Sequence, residues 1–224
     1  MATIEDYILW FMFYSVLGWC YEVLLYSIKY RLFVNRGFLF GPYCPIYGFG
    51  AVIDIIVLRG IENPAVLFLS GAILACGLEY LTSWGMEKLF RNRWWDYSDK
   101  LFNINGRVCL LGAIVFGTFA VLLIKGIHPL VASYTDQIPR SPMHYTSIAL
   151  LVLIVEDSIY SAMSFSTFSK KVKGLVTELT RSARYAIQAV SPNKKTTKGN
   201  IRLNPVSVKL KTLIKRIKDG KGPL

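Results

Sequence analysis

Apolar residues gather along the chain in five blocks, at 7–28, 42–58, 64–90, 108–124 and 144–168, with short polar stretches between them. A helix rises ~1.5 Å per residue and needs about 20 residues to cross a ~30 Å hydrocarbon core. The pattern predicts an all-α, polytopic integral membrane protein with about five transmembrane helices and no signal peptide ahead of the first. The block at 42–58 is the shortest. Residues 35–48, NRGFLFGPYCPIYG, hold too much Gly and Pro for a regular helix, while Pro45 suits a first helical turn. The second helix is therefore expected to start at Pro45, to be extended by Gly41-Pro42, or to be partly re-entrant. Its preceding loop is either a ligand-approaching backbone, with the helix N-terminus toward an anion, or a tight turn.

Charge orients these helices. The first loop carries Lys29, Arg31 and Arg36, and the third Lys88, Arg91, Arg93, Lys100 and Arg107. The second carries only Arg59, and the fourth only Lys125 and Arg140. Cytoplasmic loops are the ones enriched in Lys and Arg, so five crossings put the N-terminus outside and the C-terminus in the cytoplasm. Residues 169–224 carry fifteen Lys/Arg against two acidic residues. They form a basic cytoplasmic tail, with amphipathic helices expected at 172–190 and 206–217 and a linker between. Such a tail beside a membrane favours anionic lipid headgroups as partners. Nucleic acid is disfavoured, because Tyr185 is its only aromatic residue past Phe168 and base stacking needs more.

A weak internal repeat joins the first and third loops. LFVNRGFLFG (32–41) and LFNINGRVCLLG (101–112) each hold Leu-Phe, an Asn, an adjacent Arg and Gly, then apolar residues and a further Gly. This is either a duplicated two-helix unit or the ordinary turn chemistry of Asn, Gly and Arg.

Carboxylates inside membrane helices are costly and mark function by default. Glu22, Glu79 and Glu156 fall at similar depths in the first, third and fifth blocks, and Glu79, Ser83 and Glu87 share a helix face at i, i+4, i+8. We expect a polar binding site near the cytoplasmic face from Glu22, Asn35, Arg36, Glu79, Glu87, Asp96, Asn105, Arg107 and Glu156. Asp96 would hold its loop through a neighbouring arginine. Trp94, Trp95 and Tyr97 are expected as interface anchors. The competing reading makes each glutamate one half of a helix-pairing ion pair. His128 and His144, at the outer side, are expected to stand apart from this site.

Cys20, Cys44, Cys76 and Cys109 are isolated and read as packing residues. No metal site and no cofactor are expected, and no catalytic residue can be assigned. Neither GxxxxGK[ST] nor HExxH, GxSxG or a dinucleotide fingerprint occurs. The chain cannot by itself be an ABC-type ATPase, and the balance leans away from an enzyme.

The runs YSVLGWCYE (14–22), NRGFLFGPYCPIYGFGA (35–51), LEYLTSWGMEKLF (78–90), WWDYS (94–98) and NINGRVCLLG (103–112) together resemble bacterial membrane proteins of the ABC-transporter type IV, permease-like family. The resemblance covers about 7–125 and extends toward Phe168. It implies a multi-pass protein of the bacterial plasma membrane acting as a permease-like or transport-associated subunit, with any ATPase on a separate chain. The alternatives from the residues themselves are an inner-leaflet lipid-headgroup enzyme or binding protein, and a membrane scaffold.

Overall fold

A computed structural model of the chain describes residues 2–190. Six α-helices carry the fold: α1 (Ile4–Tyr30), α2 (Pro45–Leu58), α3 (Pro64–Phe90), α4 (Leu110–Leu122), α5 (His128–Thr135) and α6 (Arg140–Val190). A π-helical stretch, Leu123–Ile127, joins α4 to α5 without a break. Among the described residues there are no strands beyond a single bridge between Ile104 and Val108.

Four helical runs are long and apolar enough to cross a membrane: Ile4–Tyr30, Pro64–Phe90, Leu110–Thr135 and Arg140–Ser166. The fifth, α2, has 14 residues and spans only ~21 Å. Its depth explains the shortfall. The Cys44 N–H donates to the Ser15 carbonyl at 2.9 Å, so α2 begins beside the middle of α1. The chain between them climbs back along α1. Val34 N–H donates to Ser27 Oγ, and Arg36 reaches Glu22. The loop thus folds back into the bundle along α1, and α2 starts at Pro45 as a half-length helix.

The second half of the bundle repeats this plan. α1 and α3 have 27 residues each, and each ends on an arginine in the left-handed conformation, Arg31 (φ 54°) and Arg91 (φ 53°). Each is followed by a loop with a positive-φ glycine, Gly37 or Gly106. Each loop ends on a buried cysteine, Cys44 or Cys109, that serves as N-cap of the next helix. α4 starts high on α3 as α2 does on α1. A Cβ added to Gly112 would lie 3.9 Å from Glu79 Oε2.

We call the end holding Tyr30 and Phe90 the basic end, and the opposite one the capped end. At the capped end Thr3 and Asp6 form a reciprocal capping box, and the Asn63 side chain accepts from Ala65 and Val66 N–H. These bonds satisfy amides that a helix start leaves without partners. The apolar core sits toward this end, where Trp10, Tyr14, Ile55, Leu58, Leu67, Ala120 and Leu123 pack together. His128 stacks edge-on against Trp10 at 4.5 Å, and His144 pairs with Glu5.

α1 packs on α2, α2 on α3, and α3 on α4. Close approach depends on glycine. A Cβ at Gly18 would strike the Tyr47 ring, and one at Gly48 would strike Ser15 Oγ and the Phe11 carbonyl. α6 lies against α1 and leaves Leu151, Val152, Val155 and Ile159 exposed, as a lipid-facing helix does.

Two boundaries differ from the apolar pattern. The fourth block continues past Lys125-Gly126 because a π turn carries the helix through them to Pro129. The fifth crossing and the tail helix expected at 172–190 form one 51-residue helix. No proline interrupts the sequence between Pro142 and Pro192. The helix expected at 206–217 and its linker lie outside the described residues.

Candidate ligand cavity

The two halves do not close on each other. Between α1 and α4, with α2 and α3 behind, lies a cavity of about 740 Å³, within the ~300–1,000 Å³ typical of small-molecule sites. Tyr21 of α1 and Phe119 of α4 meet edge-to-face at 5.3 Å across its mouth. Leu17, Leu24 and Leu122 line it and remain exposed, so it opens sideways, where lipid chains run.

Its polar groups come from four places. Glu22 on α1 accepts from the Tyr47 hydroxyl at 2.8 Å and meets Arg36 at 3.4 Å. The Arg36 guanidinium also lies over the Tyr26 ring at 3.9 Å, a cation–π contact. Glu79 on α3 accepts from the Tyr97 hydroxyl at 3.1 Å through Oε1. Its Oε2 is buried with no hydrogen-bond partner among the described residues, and the residue is 6% exposed. Asp54 on α2 also lines the cavity at 8% exposure.

The loop at 91–109 supplies the fourth group. Arg107 Nη2 sits 2.8 Å from Glu87 Oε2, and its Nη1 donates to Ser83 Oγ at 3.1 Å. Arg93 contacts the same Glu87 oxygen at 3.1 Å and Asp96 at 3.6 Å. Glu79, Ser83 and Glu87 thus share the face that receives this loop. Gly106 holds the turn at φ 67° with Asp96 and Ser98 against it, so a Cβ there would clash as well as strain the backbone. Burial, and then the Glu79 carboxylate, push the Tyr97 phenol well above its ordinary range, so it stays a donor.

The expected site residues fall in four places. Glu22, Arg36, Glu79 and Asp96 line the cavity, and so do Trp94, Trp95 and Tyr97. Glu87, Arg107 and Asn105 belong to the clasp behind it, with Asn105 donating to the Tyr80 hydroxyl and Trp95 to the Arg107 carbonyl. Asn35 accepts from the Trp19 indole on the other loop. Glu156 is not brought to the others. It is exposed on α6.

The neighbouring Asp157, partly buried, is the α6 carboxylate that meets the rest of the bundle. It accepts from Gly41 N–H at 2.8 Å, Phe40 N–H at 3.1 Å, the Tyr43 hydroxyl at 2.6 Å and Ser161 Oγ at 2.9 Å. These bonds fix the loop before α2 to α6. At the basic end Phe38, Phe90, Trp94 and Phe165 form one aromatic cluster that ties both loops to the same helix. Asp157 shares a face with Ser161 and Phe165 at i, i+4, i+8, a spacing visible in the sequence. Asp54 was also visible, as a lone carboxylate in an apolar run.

Four helices long and apolar enough to cross a membrane, loops folded back along them and a cavity between paired halves define a multi-pass α-helical membrane protein. The chain belongs to the family described as "Putative ABC-transporter type IV", whose model matches residues 9–162. That membership makes it a transport-associated membrane protein. No curated protein and no solved structure matches it.

Proposed function

We propose that the protein is a permease-like subunit of the bacterial plasma membrane, and that the cavity between α1 and α4 is its substrate site. The observation carrying this reading is the cavity's place between two similarly built halves, with polar groups from both. Transporters assembled from repeats bind substrate at the repeat interface, near broken helices; here α2 and α4 both begin within the bundle. Glu22, Arg36, Glu79 and Asp96 are its polar contacts, and the Glu87–Arg107 clasp holds the second loop. Lys and Arg counts favour the basic end in the cytoplasm and the N-terminus outside. The tail then meets anionic headgroups of the inner leaflet.

Energy would come from a separate ATPase chain. Mild extraction of the tagged full chain should retain a nucleotide-binding partner whose ATP hydrolysis falls when Glu79→Gln is introduced at unchanged yield. Retention of a phospholipid with headgroup turnover, and no ATPase, would support the lipid-enzyme alternative instead.

A further inference from the structure

Acidic side chains outnumber basic ones along the cavity wall. Glu22 is met by Arg36, and Asp96 by Arg93. Asp54 and Glu79 are each more than nine-tenths buried, and neither has a cationic partner among the described residues. A buried carboxylate oxygen without a partner is uncommon, and each one calls for an explanation. Glu79 Oε2 is such an atom, on a residue that lines the cavity.

The rest of the wall narrows the ligand class. Tyr21, Tyr47, Trp94, Trp95, Tyr97 and Phe119 present aromatic rings, and aromatic faces with carboxylates are the surroundings that hold ammonium groups. A hard metal ion takes six or more oxygen ligands, which two carboxylates in a largely aromatic and aliphatic wall do not provide. Leu17, Leu24 and Leu122 at the open side suit an alkyl chain that reaches into the bilayer.

We propose that the cavity binds an amphiphile with a cationic, ammonium-type headgroup, the head toward Glu79 and the chain leaving between α1 and α4. This deepens the permease reading and rests on the same cavity, but binding can be measured without transport.

The test titrates the purified full chain, in a neutral maltoside detergent, with four probes, reading tryptophan fluorescence and thermal melting. Octyltrimethylammonium carries head and chain, tetramethylammonium the head alone, octyl glucoside the chain on a neutral head, and octyl sulfate the chain on an anionic head. Octyltrimethylammonium is expected to bind saturably, at least tenfold more tightly than the other three. Glu79→Gln and Glu79→Ala, each folded by its unliganded melt, should weaken it tenfold or more. Should one variant fail to fold, the other and the wild-type probe series still decide. Equal binding of octyl glucoside or octyl sulfate, or unchanged affinity in a folded variant, would overturn the proposal. Loss of selectivity alongside a co-purifying, substrate-stimulated ATPase would overturn the ligand class and keep the permease. Selective binding without any ATPase partner would keep the ligand class and remove the permease.

Discussion

Asp157→Ala and Glu156→Ala should behave oppositely, although the two residues are adjacent. Asp157 accepts four hydrogen bonds, from Phe40 N–H, Gly41 N–H, the Tyr43 hydroxyl and Ser161. Phe40 is exposed, so water can replace its partner, and Ser161 can turn to its own helix. Tyr43 is 1% exposed and cannot find water. A buried donor left without a partner costs about 1–3 kcal/mol. With the Tyr43 hydroxyl and Gly41 N–H both released, Asp157→Ala should destabilise by about 2–4 kcal/mol. Glu156 is exposed and makes no such bonds, so Glu156→Ala should fall within about 0.5 kcal/mol of wild type. The Asp157–Tyr43 bond itself is best isolated by a double-mutant cycle with Tyr43→Phe. Bonds to charged groups contribute about 1.5–3 kcal/mol, whereas cycles inside membrane bundles average ~0.6 and reach ~1.7. The coupling expected is about 1–2 kcal/mol, read from reversible unfolding of the four proteins in mixed micelles. A coupling near zero, or equal losses for Asp157→Ala and Glu156→Ala, would refute the clasp.

Gly48→Ala should cost about 1–3 kcal/mol, because its methyl meets the Phe11 backbone carbonyl and helices α1 and α2 must separate. Gly77→Ala in α3 meets nothing within 4 Å and should be neutral or stabilising; melts of both in detergent decide it. For orientation, cysteines placed singly at Asn63 and Asn92 in a background lacking the native four should differ in intact cells. An impermeant thiol reagent is expected to label the first and spare the second, and the reverse pattern would invert the proposed topology.

Much of the fold was legible because a membrane imposes a simple periodicity. The odd helices, the shared face of Glu79, Ser83 and Glu87, and the irregular entry to α2 all follow from spacing and from Gly/Pro content. What the sequence hid depends on rotation and on tertiary partners. Glu156 and Asp157 sit at nearly the same depth, but one residue turns a helix by about 100°, and only the packing of α6 on α1 selects Asp157. Arg107 resembled a balance for the cavity carboxylates. In the structure it is held by Glu87 and Ser83, because the loop at 91–109 folds back along α3. Asp54 stands alone in the apolar run of α2, and only the packing of α2 on α3 brings it to the cavity wall. The likeness of 32–41 to 101–112 left duplication and shared turn chemistry open. The matched helix lengths, left-handed arginine caps and cysteine N-caps favour duplication.

The central claim is that a ligand sits between the two halves, beside Glu79. The most direct measurement is an experimental density map of the full chain in bilayer discs made from its own membrane lipids. The account predicts an elongated non-protein density between α1 and α4, its compact end within hydrogen-bonding reach of Glu79 Oε2 and its chain passing Leu17 and Leu122 into the lipid. A map in which α1 packs directly on α4, leaving no cavity at Glu79, would contradict it.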